Sequence, residues 1–202
     1  MNRAFILSRP LDYWMAILCA GRLNSQGWTA QIMIDLTEWQ VQPLGSVCAS
    51  YNPKGRGMLG NEVAEGIMRG MLDHSQDGDL IAKFDCDIWL SDAASEWLQS
   101  GEIARCFKLK RPHRDDLEWG GCWAAKREQV VNALAFENRK CRCPESVLNL
   151  IALQNTGGFE MHDSFFATEY FIGDKRSDVS TTPITRKYPR MEIAVALFDT
   201  LT

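Results

Sequence analysis

Strands and helices alternate through the first half of this 202-residue chain, which predicts an α/β domain with a mostly parallel central sheet flanked by helices. Two observations carry that expectation. Short apolar runs recur between turn signals, as strands buried on both faces require. Longer stretches between them place apolar residues three and four apart, the spacing of one helix face. Composition agrees: 46% of the residues are hydrophobic and 24% charged, values of a globular chain rather than a disordered one.

The elements follow in order. Ala4-Phe5-Ile6-Leu7 is a buried strand, stopped by Ser8-Arg9-Pro10 because proline cannot join a ladder. Leu11, Trp14, Met15, Leu18 and Leu23 mark a helix face, with Asp12 in the first turn, where the macrodipole favours an acid. Residues 31–35 form a second strand ending in Asp35, and residues 46–50 a third. Past a turn-rich loop at 52–57, Val63, Ile67, Met68, Met71 and Leu72 form the stripe of a helix over 61–73. Asp77-Gly78-Asp79 reads as a solvated turn, and Leu80-Ile81-Ala82-Lys83-Phe84 as a strand running into Asp85-Cys86-Asp87. Residues 93–103 are helical by pattern and 105–110 extended. Gly120-Gly121 reads as a turn before an apolar stretch at 122–125. Helices are expected over 127–136 and, after Pro144, over 145–154. Two short strands fit 159–172, polar turns 175–190, and a last strand or helix 193–198. No internal repeat, low-complexity tract or linker divides the chain.

The formal net charge is −4 and no basic stripe is visible, so a nucleic-acid binder is not expected. The local basic run Lys108, Lys110, Arg111, His113 and Arg114 is offset by Asp115, Asp116 and Glu118 and reads as a solvated face or loop. No apolar stretch is long enough to span a bilayer, and the first residues lack the pattern of a signal peptide. The expectation is a cytoplasmic protein without a transmembrane segment. Seven scattered cysteines agree with it, and Cys141-Arg142-Cys143 is too tightly spaced for a zinc knuckle. The thiols read as small hydrophobes in the core.

In parallel sheets ligands bind beyond the carboxyl ends of the strands. Arg9, Asp35 and the Asp85/Asp87 pair stand at such ends. Residues two apart on a strand point to one side, so Asp85 and Asp87 converge while Cys86 faces the core. Paired carboxylates repel, and a hard divalent cation, Mg²⁺ or Mn²⁺, holds both ionised while it binds phosphate oxygens. The bland alternative is an acid pair at a strand end with no ion.

These pieces resemble, in order, the GT-A class of glycosyltransferases, above all its family 2-like members. The segments that carry the likeness are Ile34-Asp35, the glycine- and asparagine-containing stretch from Asn52 to Asn61, the Asp-x-Asp strand Asp79 to Asp87, the acceptor-side segment Gly120-Gly121-Cys122-Trp123-Ala124-Ala125, and Cys143-Pro144-Glu145-Ser146. The resemblance covers most of residues 4–155. It implies a single GT-A-like, Rossmann-like domain over 1–202, with a nucleotide-binding part at about 4–92 and an acceptor-side part at about 105–202. It implies a glycosyltransferase that moves a sugar from a nucleotide-diphosphate sugar to an acceptor hydroxyl with Mn²⁺ or Mg²⁺. Asp85 and Asp87 would serve the metal, Asp85 also the nucleotide. Asp35 and Arg9 would contact base and ribose, and Lys54 or Arg56 the phosphates. Glu145 would be the general base. His162 would be an added metal ligand or base, against the bland reading of a structural histidine. Trp119, Gly121 and Trp123 belong to the acceptor side, where one tryptophan would stack on a sugar ring, against the bland reading of core anchors.

The sequence departs from that pattern where Asp35 lacks a following acid and where Ser146 replaces the aspartate after Glu145. The chain is also short for the family, so the acceptor part would be reduced or supplied by another copy in a homo-oligomer. Two other readings stand: a phosphohydrolase of the haloacid dehalogenase type, whose Asp-x-Asp lies on the first strand, and an inactive nucleotide-sugar-binding domain.

Overall fold

Apolar side chains alternate between two faces along every central strand, and that alternation sets the architecture. Ala4 and Ile6, Ile32 and Ile34, and Leu80, Ala82 and Phe84 enter one buried cluster. Phe5 and Leu7, Met33, and Ile81 enter another on the opposite face. Strands apolar on both faces need cover on both, and helices supply it. The computed structural model describes residues 1–10, 13–35, 39, 41–49, 61–86, 88–111, 114–135, 153, 158–163 and 167–169.

The elements are β1 (Asn2–Ser8), α1 (Tyr13–Ser25), β2 (Thr29–Asp35), β3 (Ser46–Ala49), α2 (Asn61–Asp73), β4 (Leu80–Asp85), β5 (Ile88–Leu90), α3 (Asp92–Gln99), β6 (Ala104–Arg111), β7 (Arg114–Lys126), α4 (Arg127–Ala135), β8 (Phe159–Asp163) and β9 (Ala167–Glu169). The main sheet has the order β3-β2-β1-β4-β7-β6-β8, and β5 pairs with β9 in a small antiparallel sheet. Neighbours are parallel from β3 to β4 and again between β6 and β8; only β7 runs against the rest. The expected α/β class and mostly parallel sheet are thus present.

Helices α1 and α3 cover the first cluster, with Met15 at the margin of the α1 face and Ala16, Cys19 and Leu23, then Ala94 and Leu98, inside it. The buried face of α1 therefore uses Ala16 and Cys19 rather than Leu18. Helix α2 presents Val63, Ile67, Met68 and Met71 to the second cluster, where α4 adds Val130 and Ala133. It packs closely because Gly70 has no side chain: a Cβ there would fall on the Cβ of Ala49 in β3. Buried Trp28 stacks edge-on with Phe84 and gives its Nε1 proton to Ser95 Oγ at 2.8 Å.

Several expectations change. Helix α3 begins on the Ser91 cap, whose Oγ accepts from the Ala94 N–H at 3.2 Å, and stops at Gln99, short of residue 103. Ser100 caps that end with its N–H on the Glu96 carbonyl, and Arg105 Nη1 donates to the Trp97 carbonyl and to Ser100 Oγ, its guanidinium 4.9 Å from the Trp97 ring centre. Gly120-Gly121 is not a turn but lies inside β7. From the pair Cys106↔Trp123 to Lys108↔Glu118, β6 advances two residues while β7 advances five, so the glycines sit in a bulge. Of the basic run, Lys108, Lys110 and Arg111 lie on β6 and Arg114 on β7, while His113 lies outside the described residues. Cys19, Cys106 and Cys122 are buried as expected, and burial raises the Cys122 thiol pKa well above its usual value. The expected helix over 145–154 lies outside the described residues except Leu153, which is helical and buried.

Asp79 is a further correction. The expected solvated turn holds a carboxylate with 6% side-chain exposure, bound by Arg3 Nε at 2.5 Å, the Met1 amino group at 3.0 Å and the Gln76 N–H at 2.9 Å. Burial pushes its pKa up, but the Gln76 bond, Arg3 and the Met1 amino group outweigh it and pull the pKa down to about 2.

Candidate active site

The chain leaves β1 in both directions across the sheet, to β2 on one side and to β4 on the other. That reversal makes the carboxyl ends of β1 and β4 the switch point of the sheet, the place where parallel sheets bind ligands. Arg9, directly after β1, and Asp85, the last residue of β4, flank it. Arg9 is exposed.

Asp85 shares the sheet face of Ile81 and Lys83, while Cys86 packs against the opposite cluster, as expected for alternating residues. Its side chain is 36% exposed, and its Oδ1 accepts from Lys83 Nζ at 2.8 Å. Asp35 closes β2 on the same face as Met33 and is 1% exposed. Two strand spacings separate β2 from β4, about 10 Å. The site therefore opens at Asp85 and Arg9 and is covered at Asp35.

Other expected site residues lie elsewhere. Trp123 is fully buried in the second cluster, and its Nε1 has no partner among the described residues. The ring is covered on all sides, so it offers no face to an acceptor sugar; it is a core anchor. Gly121 is buried in the β7 bulge, and Trp119 is on the same strand. His162 is on β8 in register with Phe107, and β7 and β6 intervene between β8 and β4. Three spacings, about 14 Å, separate the two backbones, so the fold does not bring His162 beside Asp85. Lys54, Arg56, Asp87 and Glu145 lie outside the described residues.

Three strands pointing the same way, β2, β4 and β8, end in aspartate, but Asp163 on β8 is as far from β4 as His162. Sequence reading passes over one residue at the site, Lys83, which looks like one more residue of an apolar strand.

Among the described residues no group of three or more His, Cys, Asp or Glu side chains could hold a metal ion. The donor set at Asp85 still suits one kind of ion. Mg²⁺ commonly takes one or two carboxylates plus substrate phosphates, and Asp85 keeps one oxygen clear of Lys83. Among the described residues no helix is long and apolar enough to cross a membrane.

No protein-family model matches the sequence, and no curated protein is similar to it. Solved structures do match over most of their length. A Drosophila β-1,4-galactosyltransferase 7 variant complexed with manganese, UDP-Gal and xylobiose superposes with a TM-score of 0.54 at 14% identity, covering 94% of this chain and 81% of that one. The chain has a GT-A-like fold. A glycosyltransferase involved in glycosylation of the major capsid of PBCV-1 shares this GT-A-like fold at 0.50 and 9% identity, over 81% and 82% of the two chains. So does an inositol-1-phosphate CTP transferase from T. maritima, at 0.51 and 10% identity, over 96% and 94%. The GT-A-like architecture thus serves both sugar and nucleotidyl transfer.

Proposed function

We propose that this chain is a glycosyltransferase that moves a sugar from a nucleotide-diphosphate sugar to an acceptor hydroxyl, with Mn²⁺ or Mg²⁺ at Asp85. The observation that carries the reading is the half-open Asp85 carboxylate at the switch point of the sheet, with exposed Arg9 following the neighbouring strand β1. A divalent ion there would neutralise charge on the departing diphosphate as a Lewis acid. Asp85 and Asp87 would hold it. Lys54 or Arg56 would bind phosphate oxygens and Arg9 the base and ribose, while Asp35, at 1% exposure, is covered from both. Glu145 would take the proton of the acceptor hydroxyl as its oxygen bonds the anomeric carbon and the bond to the diphosphate breaks. A positioned base typically contributes ~10²–10⁴-fold in rate. Trp119 would stand on the acceptor side, and a second copy of the chain would complete that side if a homo-oligomer forms.

Calorimetry tests the reading. Mn²⁺ should tighten binding of UDP or GDP, and Asp87→Ala should abolish the gain; indifference of every nucleotide diphosphate to the ion would sink it. A nucleotidyltransferase is a second reading, favoured by the likeness to the CTP transferase. It predicts pyrophosphate release from a nucleoside triphosphate and a sugar phosphate. An inactive binding domain predicts nucleotide binding without turnover. The phosphohydrolase reading loses ground, because Asp85 closes the fourth strand of the chain rather than the first.

A further inference from the structure

Lys83 is a charged residue in an apolar row. In register it lies between Phe5 of β1 and Trp123 of β7, both fully buried, and it is itself 2% exposed. A lysine stem suits such a row, but its ammonium does not unless an anion meets it. Nζ reaches Asp85 Oδ1, two residues along the same face. The pair is unequal: the lysine side chain is 3% exposed and the carboxylate 36%. Its fixed member is therefore the cation, and the carboxylate is the member a ligand can reach.

We propose that Lys83 is a positioning residue that fixes Asp85 and keeps a bare divalent ion weakly bound until a diphosphate arrives. The inference rests on the transferase reading above. An ammonium on one carboxylate oxygen cancels the charge of Asp85, engages half of its donor capacity and repels an incoming cation. The negative charge missing from the site is what a diphosphate brings. Ion and nucleotide then bind as a pair, and the empty protein does not hold metal.

The test is calorimetric titration of Mn²⁺ into the whole chain, with and without UDP or GDP. Lys83→Met keeps the length and apolar character of the stem, and Asp85 is open enough to water not to be stranded. In the absence of nucleotide this variant should bind Mn²⁺ about 10-fold tighter than the wild type or more, the size of the effect that one neighbouring charge typically has on a carboxylate. The help that nucleotide gives should shrink by a similar factor. Adding Asp85→Asn should erase the gain, which separates an effect through Asp85 from a change in folding. Lys83→Gln serves the same comparison if the methionine variant does not fold. Equal or weaker Mn²⁺ binding in a folded Lys83 variant overturns the proposal and leaves the transferase reading standing. A wild type whose nucleotide affinity ignores Mn²⁺ sinks the transferase reading, while tighter binding of the ion alone by the variant would still uphold the restraint by Lys83.

Discussion

Asp79 and Asp85 stand at opposite ends of β4, each within a short Asp-x-Asp sequence and each beside a basic group. Asp79 enters from a turn, is 6% exposed, and faces three donors: a guanidinium, an amino group and a backbone N–H. Asp85 is six times as exposed and among the described residues meets one donor, Lys83. The first carboxylate is saturated and ties the start of β4 to β1. The second keeps acceptor capacity at the switch point of the sheet. One strand thus carries a saturated acid at its amino end and a half-open one at its carboxyl end, and the motif alone does not distinguish them.

The largest expected effect is on folding at the amino end. Asp79→Ala strands Arg3 without its carboxylate and should cost about 3 kcal/mol, read as a lower urea midpoint. Nucleotide affinity below the transition should stay unchanged. A variant as stable as the parent would erase the contrast. Asp85→Asn should do the reverse: about 10²-fold less sugar transfer, with unfolding shifted by less than ~1 kcal/mol. Acid titration gives a third separation. The Asp79 carboxyl titrates at about 2 instead of its ordinary 3.8. Its contribution is complete above the ordinary value and is lost as pH falls toward 2, about 2 kcal/mol in all. In Asp79→Asn that part of the acid-unfolding curve should flatten. The smallest effect belongs to Asp77, which is 91% exposed and paired with Arg127 at 2.6 Å. Asp77→Ala should change stability by no more than ~0.5 kcal/mol, measured in the same urea series.

Much of the fold was legible because local sequence and burial agree. The run Ala4–Leu7 is apolar at consecutive positions, as is Leu80–Phe84 but for Lys83, which a strand covered on both faces explains. The stripe on α2 survives intact. Misreadings fall where distant partners decide. Gly120-Gly121 has the composition of a turn, yet β6 and β4 hold it in a strand as a bulge. Asp79 looks solvated until Arg3, distant in sequence, is placed beside it. Trp123 flanks glycines that suggested an open site, but the second cluster closes over it. At the site, Asp85 and Arg9 could be anticipated from strand ends. The Lys83 contact could not, since a lysine inside an apolar run gives no sign of which way its ammonium turns.

The reversed strand β7 has a consequence for partial chains. Leu80–Phe84 pair with Cys122–Lys126, and the chain must pass through β5, α3 and β6 before that partner exists. A nascent or truncated polypeptide ending before residue 114 would leave one side of β4 as a bare ribbon of amide and carbonyl groups bearing Leu, Ile, Ala and Phe. Such an edge recruits other chains. Fragments cut to isolate the first half should therefore self-associate, through the very strand whose tip holds Asp85.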